Sequence, residues 1–325
     1  MLVIGIESSA HTFGVGVVSK GRVLANEKDM YDLSTTGMIP AKVASFHAKN
    51  ARGVIARALN RAGVSFDEIE GVGYTRGPGI GPCLQVGQLA AKSIASRLKL
   101  EIAPVNHSVA HVEIARYAGK LDDPVALYVS GGNSQILRFT MTQFPHYRVL
   151  GETLDVGIGN MLDSFARELK LTPAWGSTVA KLAKGGKYVG MPYTVKGMDF
   201  AFTGLLTHAI ERSSDVKVED LCYSLQETAF AMLCEATERA LMLTGAKELC
   251  VCGGVAQSER LKEMLSTICR SHGMRFGYAR DEFNADNGAM IAFVAEKMLE
   301  KGRSVPLSKC DIEQRYRIDG AAVVR

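Results

Sequence analysis

The chain begins its fold twice. LVIGIESSAHTFGVGVV, from Leu2, sets an apolar strand against a short polar break and a second apolar strand, and ALYVSGGNSQILRF, from Ala126, follows the same plan after LDDP. A strand interrupted by small polar and glycine residues and then resumed reads as an antiparallel hairpin opening a sheet. No detailed identity links the two stretches, so the echo is one of architecture rather than a short-period repeat. It predicts two similar α/β lobes, residues 1–121 and 122–325, with the last helix expected to pack back on the first lobe. At 325 residues and 47% hydrophobic, the chain has enough apolar material for two cores.

Between these openings the first sheet is expected to turn again at Ser19 to Gly21, and helical periodicity predicts a helix from about Ala41 to Ala62. GVGYTRGPGIGPC reads as a strand and a glycine-rich loop, and LQVGQLAAKSIASRL as the helix that follows. The two prolines of GPGIGPC remove backbone donors, so the loop reads as a rigid turn connecting the lobes rather than a phosphate cradle. In the second half the pattern predicts a helix from about Glu219 to Thr244, a strand in ELCVCGGV, a helix from near Ser258 and a last helix in DNGAMIAFVAEKMLEKG.

The apolar opening MLVIGI is cut short by Glu7 and leads into strand-like sequence, which excludes a signal peptide or membrane span there and points to the cytoplasm. Seven cysteines, scattered and without a CxxC pair, argue against a disulfide framework or zinc ribbon and read as reduced, buried small side chains. The formal net charge of +4 is modest. Two windows are nonetheless free of acids: one carries Lys42, Lys49, Arg52, Arg57 and Arg61, the other Lys170, Lys181, Lys184, Lys187 and Lys196. Each suits either a solvated face or a polyanion.

NHSVAH places His107 and His111 four residues apart, on one face of a helix, where both imidazoles can reach one ion. Such pairs also occur as ordinary polar side chains. A third ligand must come from elsewhere, and RDEFNADNGAMIA offers Asp281, Glu282 and Asp286; Asp286 equally suits a helix N-cap. Two histidines and a carboxylate fit zinc or iron with an open position. YVSGGNSQ gives Gly131 and Gly132 backbone freedom, so that N–H groups can approach phosphate oxygens, and CGGVAQSERL joins a strand to a helix start suited to an anion. Neither GxGxxG nor GxxxxGK[ST] is present, which excludes the dinucleotide and P-loop readings.

GIESSAHT, GPGIGPCLQVG, PVNHSVAHVEIA, LYVSGGNSQ, GETLDVGIGNMLDSFAREL, YTVKGMDFAFTGLL, YSLQETAFAMLCEATERAL, GGVAQSERL and DNGAMIA occur in this order over almost the whole chain. Together they resemble the universal tRNA threonylcarbamoyladenosine synthase family, once called O-sialoglycoprotein endopeptidases, and AHT after GIES resembles its archaeal and eukaryotic branch. The resemblance implies a fold of the actin, sugar kinase and Hsp70 type, with two ribonuclease-H-like lobes and an interlobe cleft. It implies transfer of a threonylcarbamoyl group from threonylcarbamoyl-AMP to N6 of adenine 37 in tRNAs reading ANN codons. It also implies work alongside a kinase-like ATPase and small subunits in a KEOPS-type complex.

The resemblance makes His107, His111, Tyr128 and Asp286 ligands of one divalent ion, iron or zinc foremost. Glu7 and His11 are implied to assist proton transfer or hold the adenylate. Tyr128, Val129, Ser130, Gly131, Gly132, Asn133, Asp163, Gly176 and Ser258 are the implied nucleotide contacts. Several positions depart from the family pattern: Trp175, Ser177 and Ala180 stand for glycine, proline and a ribose-binding glutamate, Gln257 and Ser258 for alanine and an adenosine-contacting asparagine, and Gln85 for arginine. Two lost hydrogen-bonding groups weaken nucleotide binding by about 1 to 3 kcal/mol in total, and Trp175 offers stacking in return. The alternative is a divergent scaffold or regulator of such a complex. A metallopeptidase is disfavoured because HSVAH lacks the glutamate of HExxH, and a sugar kinase because histidines and a tyrosine do not suit a magnesium-phosphate site.

Overall fold

The computed structural model describes residues 1–33 and 38–325. Its elements run β1 (Leu2–Glu7), β2 (Thr12–Ser19), β3 (Arg22–Met30), α1 (Pro40–Ala62), β4 (Gly71–Gly77), α2 (Gly81–Leu98), β5 (Ile102–Asn106) and α3 (His107–Ala118). There follow β6 (Val125–Val129), β7 (Ser134–Thr140), β8 (His146–Glu152), α4 (Ile158–Glu168), α5 (Gly176–Ala183), the short strands β9 (Val195–Lys196) and β10 (Asp199–Phe200), α6 (Thr203–Glu211) and α7 (Val218–Thr244). The chain then forms β11 (Glu248–Cys252), α8 (Glu259–Ser271), β12 (Arg275–Tyr278), the single turn α9 (Asp281–Asn284) and α10 (Gly288–Glu300).

Two five-stranded sheets share one plan. The first is ordered β3-β2-β1-β4-β5 and the second β8-β7-β6-β11-β12, so each leading hairpin lies antiparallel and the later two strands join it in parallel. The twice-started reading of the sequence therefore holds at the level of strand order. The division of the chain is not a single cut at 121. One compact unit takes residues 1–114, 140–147 and 285–325, and the other 115–139 and 148–284. GPGIGPC, expected to link lobes, instead joins β4 to α2 inside the first unit.

In the first unit, α10 lies on the sheet closer than ordinary side chains allow. A Cβ on Gly5 would stand 2.1 Å from the Ala292 nitrogen, one on Gly16 2.3 Å from the Ala289 nitrogen, and one on Gly288 2.2 Å from the Gly16 nitrogen. Backbone meets backbone there. Glu296, 2% exposed, fixes the register at the far end of the helix: its two carboxylate oxygens accept the backbone N–H groups of Lys20 (2.6 Å) and Gly21 (2.8 Å). Those two residues form the β2–β3 turn, both with positive φ (52° and 71°), as a tight hairpin of this hand requires. At the near end Asn287 caps the helix, its Oδ1 accepting the Met290 N–H at 3.0 Å.

The second unit uses the same strand order with bulkier packing. Its core gathers Phe165, Phe200, Phe202, Phe230 and Met232 around the long helix α7. All seven cysteines are buried. Among the described residues no helix is long and apolar enough to cross a membrane.

Gly16→Val is expected to destabilise the protein by about 3 kcal/mol or more, because the added atoms meet helix backbone that has no rotamer to change. A chemical denaturation midpoint equal to that of the unaltered protein would show that the helix has room to lift.

Candidate metal centre

Strand β5 ends at Asn106 and the helix begins at once. Asn106 Oδ1 accepts the Val109 N–H at 3.0 Å, which makes it the N-cap of α3, while its Nδ2 donates to the Tyr316 carbonyl at 3.0 Å. This cap sets His107 in the first turn of α3 and His111 one turn on, with ring centroids 4.7 Å apart at 82°. Asp286 reaches the pair from the residue before the α10 cap. Asn287, not Asp286, performs the capping, which leaves the Asp286 carboxylate to the histidines.

His111 Nε2 lies 3.2 Å and His107 Nε2 3.6 Å from Asp286 Oδ1. The ligand atoms of the three residues all fall within 4.8 Å of one another, and among the described residues no other such set of three converges. Ligands at about 2.0–2.2 Å from a tetrahedral ion stand about 3.3 Å apart. The observed separations bracket that value, so the residues present fit a divalent cation.

Glu7, at the end of β1, is fully buried and already committed. Its Oε1 accepts the Ser9 N–H at 2.5 Å, and its Oε2 accepts the Thr75 hydroxyl at 2.7 Å and lies 2.9 Å from His107 Nδ1. A carboxylate behind a histidine fixes the ring's tautomer and turns the other nitrogen outward. Burial works against a charge on His107, but the Glu7 and Asp286 carboxylates outweigh it and push its pKa up to about 9. Burial lowers that of His111. Burial also pushes Asp286 upward, yet His107 and His111 hold it well below the usual carboxylate range. Glu7 shows the same balance: His107 overcomes the burial cost and lowers its pKa.

His11 is partly buried, and its charge is felt by Asp286 and by His47. His47 on α1, fully buried, places Nε2 2.8 Å from the Ala10 carbonyl and so fixes the loop that carries His11. Lys28 Nζ lies 3.4 Å from the Asp286 carbonyl. No local signal singles out Thr75, His47 or Lys28 for this centre; Asn106 has a readable one, as a capping residue directly before a helix.

The remaining expected site residues belong to the second unit. Tyr128 and Val129 end β6, fully buried. Ser130, Gly131, Gly132 and Asn133 form the β6–β7 turn, in which the Ser130 N–H donates to the Asn133 carbonyl at 2.7 Å. Neither Gly131 nor Gly132 has positive φ, contrary to the expected freedom; the glycines leave the turn bare and exposed instead. The N-terminus of α4 packs onto this turn, the Asn160 N–H donating to the Gly131 carbonyl at 3.0 Å. Asp163 and Gly176 meet, the Gly176 N–H donating to Asp163 Oδ1 at 2.7 Å. Ser258 caps α8, accepting the Leu261 N–H at 3.4 Å.

A family model described as tRNA N6-adenosine threonylcarbamoyltransferase matches residues 21–293. A Thermococcus kodakarensis protein of that name is 43% identical over 327 residues, covering 100% of this chain and 99% of its own. One from Methanopyrus kandleri is 44% identical over 335 residues, covering 99% and 96%. A Thermoplasma acidophilum protein, named a probable bifunctional tRNA threonylcarbamoyladenosine biosynthesis protein, is 43% identical over 98% of this chain, which spans 60% of that protein. Among solved structures, T. kodakarensis HypF superposes with a TM-score of 0.62 at 15% identity, over 92% of this chain and 48% of that one, a likeness of fold alone. With a family model across most of its length and full-length relatives above 40% identity, this chain belongs to the tRNA N6-adenosine threonylcarbamoyltransferase family.

Proposed function

We propose that this protein transfers the threonylcarbamoyl group of threonylcarbamoyl-AMP to N6 of adenine 37 in tRNAs reading ANN codons, using a divalent ion held by His107, His111, Asp286 and Tyr128. The observation that carries the reading is the convergence of two imidazole nitrogens on one aspartate oxygen, at 3.2 and 3.6 Å, in a chain of this family. When bound, the ion supplies charge neutralisation at the phosphate and polarisation of the acyl carbonyl.

The chain's own residues do the rest. Glu7, whose oxygens are engaged by Ser9, Thr75 and His107, serves to orient His107 rather than to carry protons. Proton handling falls to His11, beside the same carboxylates. The amine of adenine attacks the carbamoyl carbon, its N–H proton is removed, and AMP leaves with the electron pair of the broken C–O bond. The bare turn Ser130–Asn133 receives phosphate, and Asp163 with Gly176 marks the ribose end. Ser258 is engaged with α8, and Ala180 brings no carboxylate, so the nucleotide is held by fewer side-chain bonds than the family pattern supplies. A kinase-like ATPase and small subunits of a KEOPS-type complex are the partners this reading implies, with iron or zinc as the ion.

His111→Ala and Asp286→Ala are each expected to lower bound metal from about one ion per chain toward zero, measured by elemental analysis, and to abolish transfer to a tRNA transcript in the reconstituted complex. Retention of one ion by both variants would sink the ligand assignment. Glu7→Gln keeps the shape but loses the charge behind His107, and its metal affinity should fall about 10- to 100-fold. The double variant Ala180→Glu with Ser258→Asn is expected to bind an ATP analogue about 5- to 150-fold more tightly by calorimetry; unchanged affinity would mean that Trp175 or other residues of this chain already replace those contacts.

A further inference from the structure

On the second unit a cavity of about 290 Å³ is lined by Tyr188, Tyr193, Tyr223, Glu227, Thr228, Ala231 and Met264. Its volume lies near the lower end of the range of about 300–1,000 Å³ for small-molecule sites, which suits one planar ring system. Tyr188 is 57% and Tyr193 48% exposed, unusual for rings on a segment fixed as firmly as this one. The Lys187 N–H donates to Asp220 Oδ1 at 2.7 Å and the Val189 N–H to Ser224 Oγ at 2.8 Å, which bind residues 187–189 along α7. A Cβ on Gly186 would stand 2.1 Å from the Glu219 carbonyl oxygen, so the chain lies against the helix backbone. The Tyr188 hydroxyl lies 3.4 Å from Thr228 Oγ1 and that of Tyr193 bonds Glu235. The aromatic groups are anchored by their hydroxyl ends before any ligand arrives, which lowers the entropy lost on binding.

Both signs surround the cavity, since Asp220 and Glu219 lie beside the lysine-bearing segment. Glu227 receives both Nε (2.8 Å) and Nη2 (2.7 Å) of Arg260, and Glu235 is paired with Arg239, so the carboxylates at the rim are neutralised. Lys181, Lys184, Lys187 and Lys196 are exposed on the segment that carries the tyrosines, and among the described residues none makes an ion pair. Aromatic faces flanked by unpaired lysines are the pattern by which proteins hold an unpaired base while its neighbouring phosphates are neutralised.

We propose that this cavity receives one unpaired base of an RNA strand, stacked on Tyr188 and Tyr193, with Lys184 and Lys187 on the adjoining phosphates. The choice of RNA rests on the proposed tRNA substrate; the cavity and its charge do not.

The test uses the full chain with a labelled 12-nucleotide oligoadenylate and an abasic strand of the same length, followed by fluorescence anisotropy. The unaltered protein should bind the oligoadenylate about 5- to 150-fold more tightly than the abasic strand, the span expected for one stacked base. Y188A/Y193A should erase that difference, Y188F/Y193F should retain it, and K184E/K187E should weaken both strands. An unaltered protein that does not distinguish the two strands, or binds neither, overturns the proposal, as does a folded Y188A/Y193A variant that still prefers the base-bearing strand. Should the alanine variant not fold, a central 2-aminopurine in the oligoadenylate reads the unaltered protein directly: quenching on binding is expected, and unchanged emission refutes stacking. Base preference without threonylcarbamoyl transfer would count against the proposed reaction and not against the cavity; transfer without base preference, the reverse.

Discussion

The geometry of the His107, His111 and Asp286 cluster depends on how closely α10 lies on the first sheet. Asp286 stands just outside that helix, so its carboxylate can be placed to a few tenths of an ångström only if the helix itself cannot slide or lift. Glycines at 5 and 16 facing Gly288, Ala289 and Ala292 bring backbone to backbone, and at such distances there is no compliant side chain to absorb a shift. Glu296 pins the other side to the β2–β3 turn, so the helix is held at two points about two turns apart. A sheet face made of small residues is costly in ordinary burial terms, because glycine contributes no apolar side chain. Here that cost is exchanged for position.

The charges follow from the same placement. Asp286 and Glu7 are brought to opposite sides of His107, and two carboxylates taken out of water require positive partners close by. His107 supplies one, which is why its pKa rises to about 9 although burial alone would lower it. A divalent cation held by His107, His111 and Asp286 would answer the same requirement more fully, with Glu7 keeping its hold on His107 Nδ1. The electrostatics that make this cluster awkward as an ordinary core make it suitable as a cation site. His47 and Thr75 extend the arrangement outward, one fixing the carbonyl of Ala10 and the other bonding Glu7.

Much of this was legible where the determinant is local. The spacing of His107 and His111 follows from helical geometry, the leading hairpins follow from alternation, and their repetition told of two similar α/β lobes, whose shared strand order the structure supplies. What escaped depends on long-range packing. Glu7 and His107 are 100 residues apart and nothing in either segment names the other; Asp286, 175 residues from His111, was one of three candidate acids, singled out only by the family resemblance. The cut near residue 121 depends on the same kind of packing: contacts divide α3 itself after Ile114, while residues 285–325 join the first unit, as expected of the last helix. Asp286 and Asn287 are both good capping residues, and only the structure shows that the second caps and the first does not. Gly131 and Gly132 were read for conformational freedom, yet their backbone angles are open to any residue and the advantage is an uncovered turn.

That the two sheets share an order but differ in their packing bears on when the centre can exist. The histidines are placed by a local device, the Asn106 cap, which needs only β5 and the first turns of α3. Asp286 is placed by long-range packing, the close docking of α10 on the β1–β2 hairpin. A chain with the hairpin formed and α10 undocked would hold two histidines and one buried glutamate without their third ligand. A cation that fits the finished cluster would bind the docked arrangement better than the undocked one, and by linkage its binding would stabilise the helix-on-sheet contact that creates its site.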